Sequence, residues 1–494
     1  IIPSVEWIPA YGEARIVGMI ESRPDWCLSR QRLWGTPITI LYCCSCGAPL
    51  IDENVMAHIE QLIGERGTDA WFTEPAEALC PPDTRCASCQ GTRFRKENDI
   101  LDVWFDSGVS HYAVLTQDPR LSWPADLYLE GSDQHRGWFQ TSLIPAVALQ
   151  NKAPYRAVLT HGFTVDGEGK KMSKSLGNVI KPETIISTYG ADMLRLWVAA
   201  SDYREDIRIS PEIIKLMVDV YRRIRNTVRF LLGNLHDFSP EHDTVAMNDL
   251  LSIDRWALHR LQNVIDDVRN GFDHYEFHKV WKTLNDFCAH DLSSVYFDIL
   301  KDRLYTWERC GQERRSAQTV LHEIFLTLTK LIAPLLSFTA EEAWQNFKKE
   351  HDSVHMTNSV FEDNFPAADP DKCNQALAAR WQRIFRVREL VTAELEKARQ
   401  NGIIRGSLEA SIVLTPHTQS LYTLLSDCSD MLDMVFIVSN VTVEQCEETG
   451  SDTCSVSVRS ASGNKCGRCW RWQDDVNETA LCGRCRRVVA NDKQ

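Results

Sequence analysis

The sequence predicts an α/β domain followed by an all-α bundle and a small cysteine-rich module. A β-branched, apolar run at 157–165 leads into a glycine-bounded loop with three lysines, as expected of a buried strand and the loop that follows it. Apolar residues then recur at helical spacing from about 210 to 365. Two Cys-x2-Cys pairs lie near the end of the chain. At 494 residues, 44% hydrophobic and 25% charged, the chain has the composition of an ordinary globular protein of several domains.

The lysine-rich loop is the first candidate for a functional site. Its residues 169–178, GKKMSKSLGN, combine three lysines with two serines. Because they follow a predicted strand, the lysines are expected at the carboxyl end of that strand, where open α/β sheets bind nucleotides. Lysine is a compact point charge that suits phosphate. The alternative is a solvated surface loop, since runs of Lys, Ser and Gly are commonly no more than that.

Three further blocks precede the loop, and the four together carry a family resemblance. They are WCLSRQR at 26–32, DVWFDSG at 102–108, LEGSDQHRGWF at 129–139 and HGFTVDGEGKKMSKSLGN at 161–178. In this order they resemble the class I aminoacyl-tRNA synthetases, whose second signature is KMSKS, and they favour the isoleucyl members over the valyl and leucyl ones. The resemblance implies that the α/β region is the second half of a class I Rossmann-type nucleotide-binding fold.

The resemblance also implies roles for individual residues. In this class, a carboxylate attacks the α-phosphorus of ATP, bound with Mg²⁺, and charge builds on phosphoryl oxygens. Lys171 and Lys174 are the candidates for meeting that charge. ATP-binding residues are expected to be Lys174, Ser173, Ser175, His161 and Gly162, and aminoacyl-adenylate-binding residues to be Glu130, Asp133, Gln134, Trp138 and Trp104. For Trp104 and Trp138, the alternative to a role in binding is packing in the protein core.

The first signature of the class, His-x-Gly-His, is absent, since no two of the 14 histidines lie three residues apart. The chain also begins at Ile1. We therefore expect the C-terminal part of a longer enzyme, inactive by itself, with the missing N-terminal half as a candidate partner. The family's editing domain precedes the block at 26–32, so it is expected on the missing side as well.

The net charge of −14 argues against indiscriminate binding to nucleic acid. Contacts with tRNA(Ile), the RNA that the resemblance implies, are expected from local basic surfaces. Residues 215–229 carry five basic residues against one acid, and 380–405 carry seven against three. The alternative for each is a solvated helix face. No signal peptide and no apolar run long enough for a bilayer is present, so we expect a cytoplasmic protein without a membrane partner.

Cysteine spacing predicts two metal centres. Near the C-terminus, two Cys-x2-Cys pairs separated by twelve residues suit one structural zinc ion, with Gly467 and Gly483 providing the tight turns. The isoleucyl family has a matching C-terminal motif. Two disulfides are the alternative, which a chain without secretory features disfavours. A second quartet has a 39-residue spacer and is weaker, with free thiols as its alternative. The predicted zinc ligands are Cys466, Cys469, Cys482 and Cys485 in the first site and Cys43, Cys46, Cys86 and Cys89 in the second.

Helix signals organise the remainder. Ser210, followed by proline and glutamate, predicts a helix that closes at 233–234. Another helix is expected from Ser252 to Asn270-Gly271, and Thr339 with Glu342 has the spacing of a capping box. Residues 408–414, 434–443 and 455–458 are predicted strands. The expected domains are 1–209, with a cysteine insertion at about 40–95; 210–365, a helical anticodon-binding bundle; 366–460, a junction of helix and short strands; and 461–494, a zinc module.

The function implied is ATP-dependent activation of isoleucine and its transfer to tRNA(Ile), with this chain supplying the KMSKS loop, the adenylate site and the tRNA-binding regions. Two alternatives remain. One is a tRNA-binding protein that has lost catalysis, and the other is part of a valyl or leucyl synthetase.

Overall fold

The computed structural model describes residues 1–351, 356–446 and 450–491. The chain forms two compact units. Unit 1 comprises Ile1–Val165 and Tyr203–Ile207, and unit 2 comprises Asp166–Asp202 and Arg208–Gln494. Within the described residues, no helix is long and apolar enough to cross a membrane. The four-domain division stays a prediction.

Unit 1 is built on a three-stranded parallel sheet in the order β1-β8-β7. Its apolar core includes Trp7, Tyr128 and Phe139. In the β7–β8 register, Glu130 lies opposite Thr160. The strands are β1 (Glu6–Ile8), β2 (Ser29–Arg30), β3 (Leu41–Cys43), β4 (Pro49–Leu50), β5 (Phe94–Lys96), β6 (Ile100–Leu101), β7 (Ala125–Gly131) and β8 (Tyr155–His161), and the helices are α1 (Tyr11–Glu21), α2 (Glu53–Arg66), α3 (Ala70–Thr73), α4 (Val103–Gly108) and α5 (Trp138–Gln150).

The prediction of one continuous strand at 157–165 is wrong. Strand β8 ends at His161, and a separate strand, β9 (Thr164–Asp166), follows. The break falls at Gly162, whose N–H donates to the carbonyl of Tyr203 at 2.8 Å. A Cβ at Gly162 would lie 2.3 Å from the backbone of Glu205, so only glycine fits this approach. The cationic loop therefore follows β9 and not the sheet strand β8.

The cysteine insertion has its own small core. Strands β4, β3 and β5 form an antiparallel sheet in that order. Asp52 caps α2 by accepting the N–H groups of Asn54 and Val55. Leu41 and Trp71 are buried together with two of the cysteines of this segment.

Unit 2 is mainly helical, with a small mixed sheet in which β11 pairs in parallel with β12 and antiparallel with β13. A π-helical stretch, Phe287–Tyr296, joins α11 to α12. The helices are α6 (Pro182–Tyr189), α7 (Ala191–Ala200), α8 (Pro211–Leu235), α9 (Pro240–Asp243), α10 (Ser252–Asp273), α11 (Phe277–Asp286), α12 (Phe297–Thr306), α13 (Gln312–Ile332), α14 (Ser337–Glu350), α15 (Gln375–Gln400), α16 (Gln419–Ser426), α17 (Leu432–Phe436) and α18 (Gly483–Asn491), and the strands after β9 are β10 (Ile207–Ile209), β11 (Ala410–Pro416), β12 (Asn440–Val443), β13 (Cys454–Ser460), β14 (Asn464–Lys465) and β15 (Trp472–Gln473).

The two predicted helix starts have opposite outcomes. The Ser210 cap is confirmed, since its Oγ accepts the N–H of Ile213 at 3.2 Å at the start of α8. The capping box of Thr339 and Glu342 is wrong. Helix α14 begins at Ser337, and the carboxylate of Asp192 on α7 accepts the Thr339 N–H at 2.7 Å. The cap of α14 is thus supplied by a helix far away in sequence.

Two predicted boundaries also move. Helix α10 does not stop at Asn270-Gly271 but continues to Asp273. Gly271 instead allows α11 to approach, because a Cβ there would lie 2.6 Å from Cγ2 of Val280. The predicted strand at 434–443 is a strand only from Asn440, since its first residues belong to α17.

The core of the bundle contains a completely buried ion pair. Arg303 donates to Asp254 at 2.6 and 3.1 Å, and both side chains are inaccessible to solvent. Tyr296 and Ser316 donate to the same carboxylate at 2.7 and 2.5 Å. The charge of Asp254 is therefore fully satisfied by hydrogen bonds.

Candidate functional site

The predicted adenylate-binding residues of unit 1 gather at the carboxyl end of β7. Glu130 is the penultimate residue of that strand and is exposed. Asp133 and Gln134 lie in the 3₁₀ turn Ser132–His135, and Trp138 begins α5. The side-chain oxygen of Gln134 accepts the N–H of Trp138 at 3.0 Å and so satisfies one free donor at the start of α5. The turn is therefore fixed to the helix that follows it.

The two indoles differ in burial. Trp138 is half-buried and stacks on Tyr128 with ring centroids 4.0 Å apart, while its Nε1 donates to the carbonyl of Ser107 at 3.0 Å. Trp104 on α4 is 43% exposed, so core packing does not account for it. Its ring edge lies 3.1 Å from where a Cβ on Gly137 would be, and Oε1 of Gln134 would lie 2.4 Å from the same point. The side chains of Trp104 and Gln134 thus both lie against Gly137, where a larger residue would displace them.

Helices α4 and α5, which carry these indoles, touch through backbone. A Cβ at Gly108 would lie only 2.2 Å from the carbonyl oxygen of Thr141. This close approach sets the spacing between Trp104 and Trp138. The glycine of the block at 102–108 is therefore a structural requirement of the indole pair.

Asp102 is a supporting residue that sequence reasoning missed. Its carboxylate caps α4 at the N–H of Trp104 and accepts hydrogen bonds from Trp26 Nε1 at 2.9 Å and Arg30 at 2.7 Å. Burial alone would raise its pKa, but the hydrogen bonds from Trp26 and Trp104 and the charge of Arg30 give a net lowering. The sequence did contain a hint of this role, because the hydrogen bonds of Asp102 join two of the four blocks that carry the family resemblance, 26–32 and 102–108.

His161 and Gly162, predicted to bind ATP, lie at the end of the neighbouring strand. His161 is opposite Gly131 in the register, and its Nδ1 is 2.7 Å from the carbonyl oxygen of Gly162. A Cβ on Gly131 would lie 2.8 Å from a carboxylate oxygen of Asp133 and 3.6 Å from the His161 ring. Strand ends β7 and β8 therefore bring Asp133 and His161 together above Gly131.

The cationic loop belongs to unit 2 and is closed at its base by Asp166. That carboxylate accepts the N–H groups of Glu168 and Lys170 at 3.0 and 2.8 Å and the side-chain amide of Asn178 at 2.8 Å. The hydrogen bond from Asn178 and that from the Lys170 N–H lower the pKa of Asp166. Asn178 also accepts the N–H of Ser173 at 2.9 Å. Both ends of the loop are therefore tied to one side chain.

The predicted phosphate-binding groups project from this closed loop. Lys171 and Lys174 are exposed, and in the described part of the chain neither forms an ion pair. Lys170, in contrast, pairs with Glu168 at 2.7 Å. The hydroxyl groups of Ser173 and Ser175 lie 3.1 Å apart. The loop thus presents two uncompensated ammonium groups beside two hydroxyl groups.

Both cysteine quartets converge. In each, the four Sγ atoms lie within 4.8 Å of one another. The closest separations are 3.5 Å for Cys43–Cys89, 3.6 Å for Cys46–Cys86 and 3.8 Å for Cys469–Cys482. A disulfide has an S–S distance of about 2.05 Å, whereas a tetrahedral Zn–S4 centre places its sulfurs about 3.8 Å apart. The disulfide alternative is therefore excluded for the C-terminal quartet. The geometry of both quartets fits a tetrahedral metal, and free thiols stay the alternative for the quartet at 43–89.

Backbone N–H groups favour the thiolate form of one cysteine in particular in each quartet, Cys43 and Cys466, whereas the neighbouring sulfurs raise the pKa of Cys89 and burial raises that of Cys469. The N–H groups of Cys46 and Ser45 point to Cys43 and lower the pKa of its thiol to about 6. Burial opposes ionisation of Cys466, yet N–H groups of its neighbours, including Cys469 and Cys482, lower its pKa to about 6 as well. Thiolate is the form that binds metal.

The turns of these knuckles differ from the prediction. Gly467 and Gly483 were expected to provide tight turns, but neither has a positive φ. The left-handed residue instead follows the second cysteine of a pair: Gly47 (φ +74°), Gln90 (+59°) and Trp470 (+64°). At Gly483, the close approach is to Asp475, whose Oδ2 would lie 2.5 Å from a Cβ.

The predicted basic surfaces are partly neutralised. Arg222 and Arg225 pair with Asp219 and Glu342, and on α15 Arg383 and Arg388 pair with Asp452 and Asp298. Arg222 fits the solvated-face alternative, because it is exposed and pairs within its own helix. Arg388 does not, because its side chain is only 17% exposed and is held in a contact with α12. The basic residues of the two segments that form no ion pair within the described ranges are Lys215, Arg223, Arg229, Arg380, Arg386 and Arg405.

Comparison with known proteins places this geometry in a class. The family model described as tRNA synthetases class I (I, L, M and V) matches residues 1–210, and the model described as the anticodon-binding domain of tRNA ligase matches residues 254–414. Together they define a class I aminoacyl-tRNA synthetase core with a helical anticodon-binding domain. The predicted α/β class and helical bundle are confirmed at this level.

Relatives narrow the assignment. The isoleucine–tRNA ligase of Caldanaerobacter subterraneus subsp. tengcongensis is 48% identical over 496 residues, covering 98% of this chain and 53% of the relative. That of Syntrophotalea carbinolica is 49% identical over 500 residues, covering 99% and 53%. The chain belongs to the isoleucine–tRNA ligase family. It spans about half the length of the curated relatives it matches.

A solved structure supports the fold. The LeuRS of Agrobacterium radiobacter K84, determined in a ternary complex with tRNA and LeuAMS, has a TM-score of 0.52 and 20% identity, covering 73% of this chain and 46% of that one.

Proposed function

We propose that this chain supplies the adenylate site, the phosphate-binding loop and the tRNA-binding regions of an isoleucine–tRNA ligase, which activates isoleucine with ATP and Mg²⁺ and transfers it to tRNA(Ile) in the cytoplasm. The observation that carries the proposal is the cluster at the end of β7. Glu130 lies at the end of that strand, Gln134 lies in the turn that follows, and Trp104 and Trp138 lie on two touching helices. A branched alkyl side chain suits the two indole rings, and the exposed carboxylate of Glu130 at the end of β7 suits the ammonium group of an amino acid.

The activation step divides among these residues. A carboxylate oxygen of isoleucine attacks the α-phosphorus, the bond to the bridging oxygen breaks, and pyrophosphate leaves with the electron pair. Lys171 and Lys174 would meet the charge that grows on the phosphoryl oxygens, and Ser173 and Ser175 would donate hydrogen bonds beside them. The absence of ion-pair partners within the described ranges supports this role, since neither ammonium must first leave a carboxylate.

Zinc is part of the same proposal. The residues that would hold it are the two cysteine quartets, with one ion each and no open coordination position for substrate. Bound there, zinc supplies folding free energy and not reactivity. Binding of tRNA would fall to the helical bundle, the unpaired basic residues of α8 and α15 and the terminal module.

Isoleucine-dependent ATP–pyrophosphate exchange tests the proposal. We expect none from the 494-residue chain alone, and exchange when the N-terminal half of the Caldanaerobacter relative is added. Valine and leucine serve as competing substrates, and higher specificity for either would contradict the isoleucyl assignment.

Two variants make the assay specific. Lys174→Ala should abolish most of the restored exchange, whereas Lys170→Ala, which removes an ammonium already paired with Glu168, should not. If no exchange appears with any of the three amino acids while the chain still binds tRNA(Ile), the non-catalytic RNA-binding function is the correct one.

A further inference from the structure

The cysteine cluster at 466–485 is joined to the helices of unit 2 by arginines that alternate with its cysteines. Arg468 directly precedes Cys469, and Arg484 directly precedes Cys485. Arg468 donates to the carbonyl of Thr306 at the end of α12. The guanidinium groups of Arg468 and Arg484 point into the protein, where both donate hydrogen bonds to residues of α12.

Asp302 on α12 receives two of these side chains. Arg484 forms a bidentate pair with it, with Nη1–Oδ2 and Nη2–Oδ1 distances of 2.7 and 2.8 Å. Arg471 lies 3.4 Å from the same carboxylate and also bonds Asp433. The guanidinium of Arg484 stacks over Trp307 at 5.1 Å. Asp302 therefore lies where the module meets α12.

The carboxylate is ionised under ordinary conditions. Its side chain is only 18% exposed, and burial by itself would raise the pKa. The hydrogen bonds of Arg484 and the charge of Arg471 outweigh burial and hold the pKa at about 2. Bidentate pairs of this kind, largely removed from water, are strongly disrupted when one partner is lost.

The positions of the arginines depend on the cluster. Arg471 is fixed through its carbonyl, which accepts the N–H of Cys466 at 2.9 Å, and the N–H of Cys482 donates to Sγ of Cys466 at 3.3 Å. The four cysteines are buried and form most of the core of this module. Small four-cysteine modules without metal are generally unfolded, because the ligands replace a hydrophobic core. We therefore expect metal binding to determine whether the guanidinium groups contact α12 together.

We propose that Asp302 is a positioning residue that couples metal loading of the terminal cluster to docking of the terminal module on α12. The docked module then presents its tRNA-facing surface in one orientation. The tRNA part of this inference rests on the proposed function, whereas the docking part does not.

Hydrogen–deuterium exchange on the metal-loaded 494-residue chain tests the docking. In the unmodified chain, chelation should accelerate exchange at 302–308, as well as within the module. Asp302→Asn should accelerate exchange at 302–308 by roughly 100-fold with metal still bound, since it removes one member of a bidentate ion pair that is largely shielded from water. Chelation should then add little at that segment. Asp298→Asn, one turn away and paired with Lys301 and Arg388, is the matched control and should behave as the unmodified chain.

Three results would overturn the proposal: unchanged exchange at 302–308 in Asp302→Asn, equal acceleration in the control, or loss of the terminal metal from Asp302→Asn, which would mean that the carboxylate supports the cluster itself. If Asp302→Asn does not fold, Arg484→Gln removes the same pair from the module side and must give the same exchange pattern.

In the complete enzyme, Asp302→Asn should raise the KM for tRNA about tenfold and leave isoleucine-dependent pyrophosphate exchange unchanged. An equal loss in both reactions would contradict the positioning role. The expected rise in the KM for tRNA depends on the proposed function. If the KM does not change but hydrogen–deuterium exchange at 302–308 is accelerated as expected, the result counts against the proposed function and not against docking.

Discussion

Replacing Gly108 by alanine should disturb the indole pair through the packing of α4 on α5. The new Cβ would lie 2.2 Å from the carbonyl oxygen of Thr141 and 2.8 Å from its carbon. Both atoms are backbone, so no side chain can rotate away and the helices must separate by roughly 1 Å. Overpacking of this kind costs about 1–3 kcal/mol of folding free energy.

The same displacement acts on the proposed chemistry. Trp104 lies on α4 and Trp138 on α5, so separating the helices moves the two indoles apart. A misplacement of about 1 Å in an active site can cost about 100-fold in rate. We therefore expect Gly108→Ala to lower the melting temperature of the chain and, in the complete enzyme, to lower kcat/KM for isoleucine in pyrophosphate exchange by about 10- to 100-fold.

Gly18→Ala is the matched control. Gly18 also lies inside a helix of unit 1, but apart from the backbone of its own helix and its chain neighbours no atom is within 4 Å of its added Cβ. This substitution should be neutral or stabilise by up to about 1 kcal/mol. The reasoning is refuted if Gly108→Ala melts and exchanges pyrophosphate like Gly18→Ala.

Four further predictions concern charge, pH and metal. Lys174→Ala in the complete enzyme should reduce isoleucine activation about 100-fold in pyrophosphate exchange and leave the Kd for tRNA unchanged; equal losses would show that the loop is only structural. Asp254→Asn should cost about 3–5 kcal/mol of unfolding free energy in urea because it leaves Arg303 buried without its partner, and a loss below about 1 kcal/mol would contradict that reading. Burial lowers the pKa of His322 from 6.5 to about 4, so the unfolded chain binds a proton at this residue before the folded chain does, and the folded state loses up to about 3 kcal/mol of stability as the pH falls from 6.5 towards 4. His322→Leu should flatten this part of the stability–pH curve, and an unchanged curve would exclude His322 as its source. Cys46→Ser should reduce the zinc count, measured by mass spectrometry, from about two ions per chain to about one, and a count of zero in the unmodified chain would exclude zinc from both quartets.

Signals confined to a few neighbouring residues predicted structure well. Ser210 caps its own helix, and the Cys-x2-Cys pairs bring their own sulfurs into register, so both could be read from local spacing. The convergence of two distant pairs on one point is the exception, and there the chemistry of thiolates made the inference possible.

Predictions failed where a residue's partner is distant in sequence. Thr339 has the spacing of a cap, but Asp192 takes that role from another helix. Gly271 resembles a helix stop, but it is glycine because Val280 packs against it. Gly162 interrupts a run that is otherwise a good strand, because the backbone at Glu205 comes too close for a side chain. In each case, a tertiary contact overrides a valid local preference.

The carboxylate of Asp166 has a consequence for how the cationic loop can evolve. The Asn178 side chain donates a hydrogen bond to Asp166, so the eleven residues between them form a closed loop. The number of residues in this loop is limited by that hydrogen bond. Substitutions within the loop leave the Asp166–Asn178 hydrogen bond intact, whereas insertions or deletions change the loop length and would break it. Length variation among homologous chains should therefore occur after Asn178, and the loop itself should keep a constant length.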